Sequence, residues 1–151
     1  MSTLALGVCM ALASASSLKP VFVPIQRFTL AWTHSIEKVR WEEDYEVRAA
    51  ADGAAAGADD GSITQALVLV AARVQGSGAG MEPAPDAVLR NGWYEYRPVL
   101  PPRDEVQLAR STFVPDYEFC AAGLCRPMSE LLPSDGGVTR LYACRGGRPP
   151  A

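Results

Sequence analysis

Several things are missing from this chain. No run of about 18 apolar residues occurs, which excludes an ordinary membrane-spanning helix. Positive charge is not in excess: 14 Lys and Arg stand against 17 Asp and Glu, for a net charge of −3. That leaves no electrostatic footprint for nucleic acid. Histidine occurs once, at His34, and one imidazole with a few thiols makes a poor zinc ligand set. Neither a Gly-x-Ser-x-Gly nucleophile elbow nor a His-Glu-x-x-His metal motif is present. No apolar 3.6-residue period runs for a normal helix length, and no internal repeat is visible.

What is there reads as strands. With 151 residues, 48% of them hydrophobic, the chain suits one domain with a core of its own. In 27–34 (Arg-Phe-Thr-Leu-Ala-Trp-Thr-His), Phe28, Leu30, Trp32 and His34 share one face. In 39–47, Val39, Trp41, Glu43, Tyr45 and Val47 share one face. Period-two alternation marks half-buried strands. Putting both apolar faces on one side requires even positions of the first segment to oppose odd positions of the second, and a two-residue loop at Ile36-Glu37 satisfies this. It pairs His34 with Val39, Trp32 with Trp41, Leu30 with Glu43 and Phe28 with Tyr45. His34 and Glu43 are then two same-face steps apart, roughly 13 Å, too far to share a proton.

Further strands are expected at Ala66–Ala72, a continuous apolar run fit for a central strand, and at Trp93–Arg97 after the Asn91-Gly92 turn signal. Val106–Arg110 with Phe113-Val114 reads as another, ended by Pro115, and Val138–Cys144 as the last. Ser129–Leu132 suits one helical turn. The Ala/Gly/Asp stretch at 49–61 reads as a surface loop and 145–151 as a disordered tail. The fold expected is all-β: one antiparallel sandwich or small barrel over 19–144, with seven or eight short strands.

The first 15 residues are different in kind. Leu4–Ala13 is apolar, Ser14–Ser17 is made of small residues, and Ala-x-Ala spacings occur at 11–13 and 13–15. This pattern fits a secretory signal peptide, although no Lys or Arg precedes the apolar core. The alternative is a first buried helix or strand. If the leader is removed, Cys9 leaves with it. Cys120, Cys125 and Cys144 then imply one disulfide and one odd thiol in an oxidising compartment. A turn at Ala122-Gly123 makes Cys120 and Cys125 a cross-strand pair within bridging reach. Cys144 competes with either, or stays free.

Glu43, set among aromatic residues on an inward face, needs a partner such as Arg73 or Arg110, or else lines a ligand pocket. His34 reads as a strand-end side chain bonded to backbone, or as part of that pocket. The Gly-rich segment at 76–81 lacks the helix that a phosphate loop needs, and reads as a turn with positive φ. Trp93, Tyr94 and Tyr96 read as the two faces of a strand, or as a stacking platform.

Phe28-x-Leu-x-Trp-Thr-His-Ser-Ile-Glu-Lys38, Trp41-Glu-Glu-Asp-Tyr45, Gly76-Ser-Gly-Ala-Gly-Met-Glu82 and the aromatic segment after Asn91-Gly92 together resemble a family known as domain of unknown function 1850. The similarity runs from Phe28 to Cys144. It implies a small exported bacterial protein, encoded beside the fused permease of TRAP transporters of the TAXI type, and carries no catalytic residues. The expectation is therefore a periplasmic, non-enzymatic accessory protein without cofactor or metal, its partner a TRAP-TAXI permease or solute-binding protein. Its pocket or docking edge would be formed by His34, Ser35, Glu43, Gly78, Gly80 and Met81. The alternatives are a stand-alone ligand-binding module and a small hydrolase using Glu43 as base.

Overall fold

Strand propensity and period-two patterning are realised as two packed antiparallel sheets. The computed structural model describes residues 4–15, 19–34, 38–49, 65–76 and 86–146. In chain order the strands are β1 (Ala5–Leu12), β2 (Val21–Val23), β3 (Arg27–Thr33), β4 (Arg40–Ala49), β5 (Gln65–Gln75) and β6 (Val88–Arg90). They continue as β7 (Trp93–Tyr96), β8 (Glu105–Ala109), β9 (Glu118–Ala121), β10 (Leu124–Pro127) and β11 (Val138–Gly146). One 3-10 helical turn, Met128–Glu130, is the only helix among the described residues. The sheets run β2-β1-β11-β8 and β10-β9-β3-β4-β5-β7-β6. They do not close into a barrel; an isolated bridge joins Leu67 of β5 to Arg103, just ahead of β8.

The core forms where the inner faces meet. Val8, Met10, Val106, Leu108, Leu141 and Ala143 of the smaller sheet pack on Phe28, Leu30, Tyr45, Val47, Leu67, Leu69 and Phe119 of the larger. Phe28 sits between Tyr45 and Phe119, with ring centroids 5.4 and 5.0 Å away. Burying such rings supplies apolar area and a preferred offset geometry together.

The register of the first hairpin follows from keeping its apolar faces on one side. Phe28 pairs with Tyr45, Leu30 with Glu43 and Trp32 with Trp41, and the His34 N–H donates to the Val39 carbonyl at 2.8 Å. Lys38 adopts φ 61° and its N–H donates to the His34 carbonyl; the two-residue loop expected at Ile36-Glu37 lies outside the described residues. The second hairpin holds equally: Ala121 pairs with Leu124 and Cys120 with Cys125, across a turn whose Ala122 and Gly123 both have positive φ. Asn91 and Gly92 turn β6 into β7 in the same way.

Between β4 and β5 the register shifts. Tyr45 faces Leu69, yet Asp44 faces Ala71, so Val70 is an extra residue in β5. The bulge reverses the parity of β5 beyond it. Leu67 and Leu69 are buried before it, Ala72 and Val74 after it. Arg73 is thereby turned to the outer face, opposite Glu42. In the unshifted register it would lie opposite Trp41, on the inner face.

Four expectations change. Residues 5–12, weighed as a leader or a first strand, form β1, which stands between β2 and β11; a chain cut at residue 15 would lose it. Phe22 covers Gly7 and Gly146, where any larger residue would collide with its ring. Cys144 is not an odd thiol: it is bridged to Cys9, with Cα atoms 6.0 Å apart, beside the expected Cys120–Cys125 bridge. The odd-thiol count had depended on losing Cys9. Phe113 and Val114 are not strand; Phe113 is 94% exposed, because Arg110 ends β8 by turning into the interior. Arg145 and Gly146 belong to β11 rather than to a tail, while 50–61 and 147–151 lie outside the described residues.

As folded here the chain has no free cysteine. Alkylation before reduction should leave the intact mass unchanged, and alkylation after reduction should label four thiols. Cys9→Ser should lower stability far more than Cys125→Ser, because the two loops differ so much in length. The bridges span 135 and 5 residues, which corresponds to about 5 against about 2 kcal/mol in the chain-entropy account. Thermal unfolding of the two variants measures the difference.

Candidate functional site

Strand β4 carries four acidic side chains, and alternation divides them between two faces. Glu42, Asp44 and Glu46 point outward; Glu43 points inward. On the outer face each acid has an arginine. Arg73 lies at the centre, its Nε donating to Glu42 at 2.6 Å and its two terminal nitrogens to Asp44 at 2.9 and 2.8 Å. Arg40 extends the lattice by donating to Glu42 at 2.7 Å and to Glu118 of β9 at 3.0 Å. The Thr29 hydroxyl donates to Asp44 at 2.6 Å, and Arg48 donates to Glu46. Forked arginine–carboxylate bonds fix position as well as charge.

Two depressions flank this lattice. One of about 480 Å³ runs from Arg27, Thr29 and Asp44 to the Cys120–Cys125 hairpin. The other, about 400 Å³, lies between Arg73, Arg90, Trp93 and Glu95. Glu118, Cys120 and Cys125 bring three donor atoms within 4.8 Å of one another. Both sulfurs are spent in the disulfide, so no thiolate is available there.

On the inner face Glu43 stands between Trp41 and Tyr45. Its Oε1 accepts the Tyr45 hydroxyl at 2.8 Å. Trp41 stacks near Trp32 at 6.2 Å and His34 at 6.1 Å, and Trp32 meets Tyr117 at 5.7 Å. The Trp41 indole N–H is buried with no acceptor among the described residues. The Tyr45 phenol is pushed far above its ordinary value, by burial first and then by the Glu43 charge. Tyr96 and Tyr117 are raised for the same two reasons in the same order.

Of the residues expected to form a pocket, Glu43 and His34 lie on this inner face, separated by the two steps that the register imposes. Ser35, Gly78, Gly80 and Met81 lie outside the described residues. Gly76, at the head of the Gly-rich segment, has φ 70° and closes on the Gly92 carbonyl. Neither arginine expected for Glu43 reaches it. Arg73 is on the other face, and Arg110, with its side chain 0% exposed, is clamped by Asp116 and Thr139. The outer lattice escaped the sequence reading because Glu42 and Asp44 alternate as ordinary solvated acids. Only the bulge at Val70, which no local signal marks, brings Arg73 to them.

The fold and these faces define a two-sheet antiparallel sandwich with a charge-latticed outer surface and an aromatic inner one. The family model described as Domain of unknown function (DUF1850) matches residues 28–128, and the chain belongs to that family. The matched span holds nearly all of the seven-stranded sheet, and of the smaller sheet only β8. No curated protein and no solved structure matches the chain.

Asp116 and Asp44 both sit below the ordinary carboxylate range. Burial pushes each upward, and the bonds from Arg110 and from Arg73 with Thr29 outweigh it. A carboxylate lowered by folding lends stability above its unfolded pKa of about 4 and loses it as pH falls through the folded value. Urea unfolding should therefore show a fall in stability below about pH 4. Asp116→Ala, which strands a buried guanidinium, should cost about 3 kcal/mol or more at neutral pH. That deficit against wild type should shrink as the solution is acidified.

Proposed function

We propose that this chain is an exported, non-enzymatic accessory protein that docks on a component of a TRAP-TAXI solute uptake system, either the permease or its solute-binding protein. The observation that carries the reading is the outer lattice of β4 and its neighbours. Arg40, Glu42, Asp44, Arg73 and Glu118 hold both signs of charge in fixed positions on β4, β5 and β9. A surface of fixed, alternating charge gives register and selectivity against a complementary partner, more than raw affinity. Two disulfides fit an oxidising compartment outside the inner membrane. No helix among the described residues is long and apolar enough to cross a membrane. The link to uptake is what the resemblance to this family implies.

The test is a pull-down from detergent-solubilised membranes with the tagged protein. Co-purification of the permease or the solute-binding protein at low salt, weakened at high salt and by Arg40→Glu, is the expected outcome, since exposed charge pairs are screened by added ions. Clean absence of both partners at low salt overturns the docking reading.

A further inference from the structure

The charge lattice occupies the centre of the large sheet's outer face; the side toward β6 carries a different set of groups. On β7, Trp93 and Glu95 are two residues apart and so share a face. Glu95 lies opposite Arg73 of β5, and Trp93 lies opposite Arg90 of β6. Arg73 is on the outer face, which places all four there. The depression of about 400 Å³ that they line falls within the ~300–1,000 Å³ range of small-molecule sites.

Glu42 and Asn91 complete the lining. Two of the six side chains are positive, two negative and one a neutral amide; the sixth is an indole. Such a wall favours neither an anion nor a cation, and it has too little apolar surface for a hydrocarbon. What it does offer is forks and one flat face. Guanidinium, carboxylate and amide groups each present two donors or two acceptors, or one of each, side by side. The indole presents a ring face with a negative quadrupole. A neutral ring with adjacent hydroxyls on its rim and C–H groups on its face meets both: neighbouring hydroxyls span a fork, and the weakly positive C–H groups settle on the indole. The groups are also held in place. Arg73 is fixed by three bonds to Glu42 and Asp44, which leaves two of its five N–H donors uncommitted. Trp93 follows directly on the Asn91-Gly92 turn, and the Gly92 carbonyl accepts the Gly76 N–H at 2.6 Å, tying that hairpin to the end of β5. Arg90 and Glu95 make no ion pair among the described residues. Walls fixed in advance lower the ordering cost of binding.

We propose that this depression is a carbohydrate-binding site. It takes a neutral pyranose whose C–H face stacks on Trp93 and whose adjacent hydroxyls bond to Arg90, Glu95 and the spare N–H groups of Arg73. The site borders the docking lattice and shares Glu42 and Arg73 with it, but it needs no partner protein. A failed pull-down leaves it standing, and a failure to bind sugar leaves the docking reading standing.

The test is isothermal titration calorimetry of the purified protein against maltose, cellobiose, lactose, mannobiose and chitobiose, with sorbitol as an open-chain polyol that has the hydroxyls but no ring face. Saturable binding of at least one of the sugars, with Kd on the order of a millimolar or tighter, and none of sorbitol, is the expected outcome. Trp93→Ala and Arg90→Ala should each weaken that sugar about tenfold or more. Arg90 is exposed and unpaired, so its variant keeps the fold. Near-ultraviolet circular dichroism checks Trp93→Ala; if that variant is unfolded, Arg90→Ala and Glu95→Gln decide. The proposal is overturned if no sugar on the panel saturates, if sorbitol binds as well as the best sugar, or if the folded variants bind that sugar undiminished.

Discussion

One extra residue in β5 decides which side of the large sheet carries charge. With Val70 bulged out, Leu67 and Leu69 below it and Ala72 and Val74 above it all turn into the core. Arg73 is delivered outward to Glu42 and Asp44. Remove the bulge and a guanidinium would enter the aromatic face, while Glu42 and Asp44 would each lose one of their partners. The apolar interior and the charged exterior are thus set by a single irregularity, which is why it is treated as a built feature rather than a defect.

The smaller sheet depends on contacts of long range. β1 pairs with β11 along eight residues, from Ala5 opposite Gly146 to Leu12 opposite Thr139, and a disulfide crosses the same pair. At the far end Arg110 does in polar terms what the bridge does covalently. Its guanidinium binds Asp116 and the Thr139 hydroxyl, and its carbonyl accepts from Ser134, joining the end of β8, the start of β11 and the chain between them. Buried arginine is tolerated because its partners fill its donors.

Much of this was legible. Alternation in 27–47 gave the faces and the pairing of Trp32 with Trp41, because a one-residue slip would have turned every ring to water. Positive-φ turn residues at Asn91-Gly92 and Ala122-Gly123 marked two hairpins, and with the second the Cys120–Cys125 bridge. What stayed hidden was non-local. Residues 4–12 carry the composition of a leader, and only β11, more than a hundred residues later, makes them a strand. Val70 looks like any other apolar residue of its run, so nothing nearby announces that the parity changes there. Glu43 stood out as an inward acid, but that neither Arg73 nor Arg110 reaches it became visible only once both had been placed elsewhere.

The pairing of the first strand with the last has a kinetic side. As the chain is synthesised, Ala5–Leu12 emerges early and then waits for Val138–Gly146, its hydrogen-bonding neighbour across most of its length. Contacts of such separation are slow to form, and an apolar strand waiting for its mate is exposed to wrong ones. The large sheet, whose strands are nearer to one another along the chain, is able to assemble first and offer its inner surface as a template. Closure of the second layer is then a terminal event that only a finished polypeptide completes.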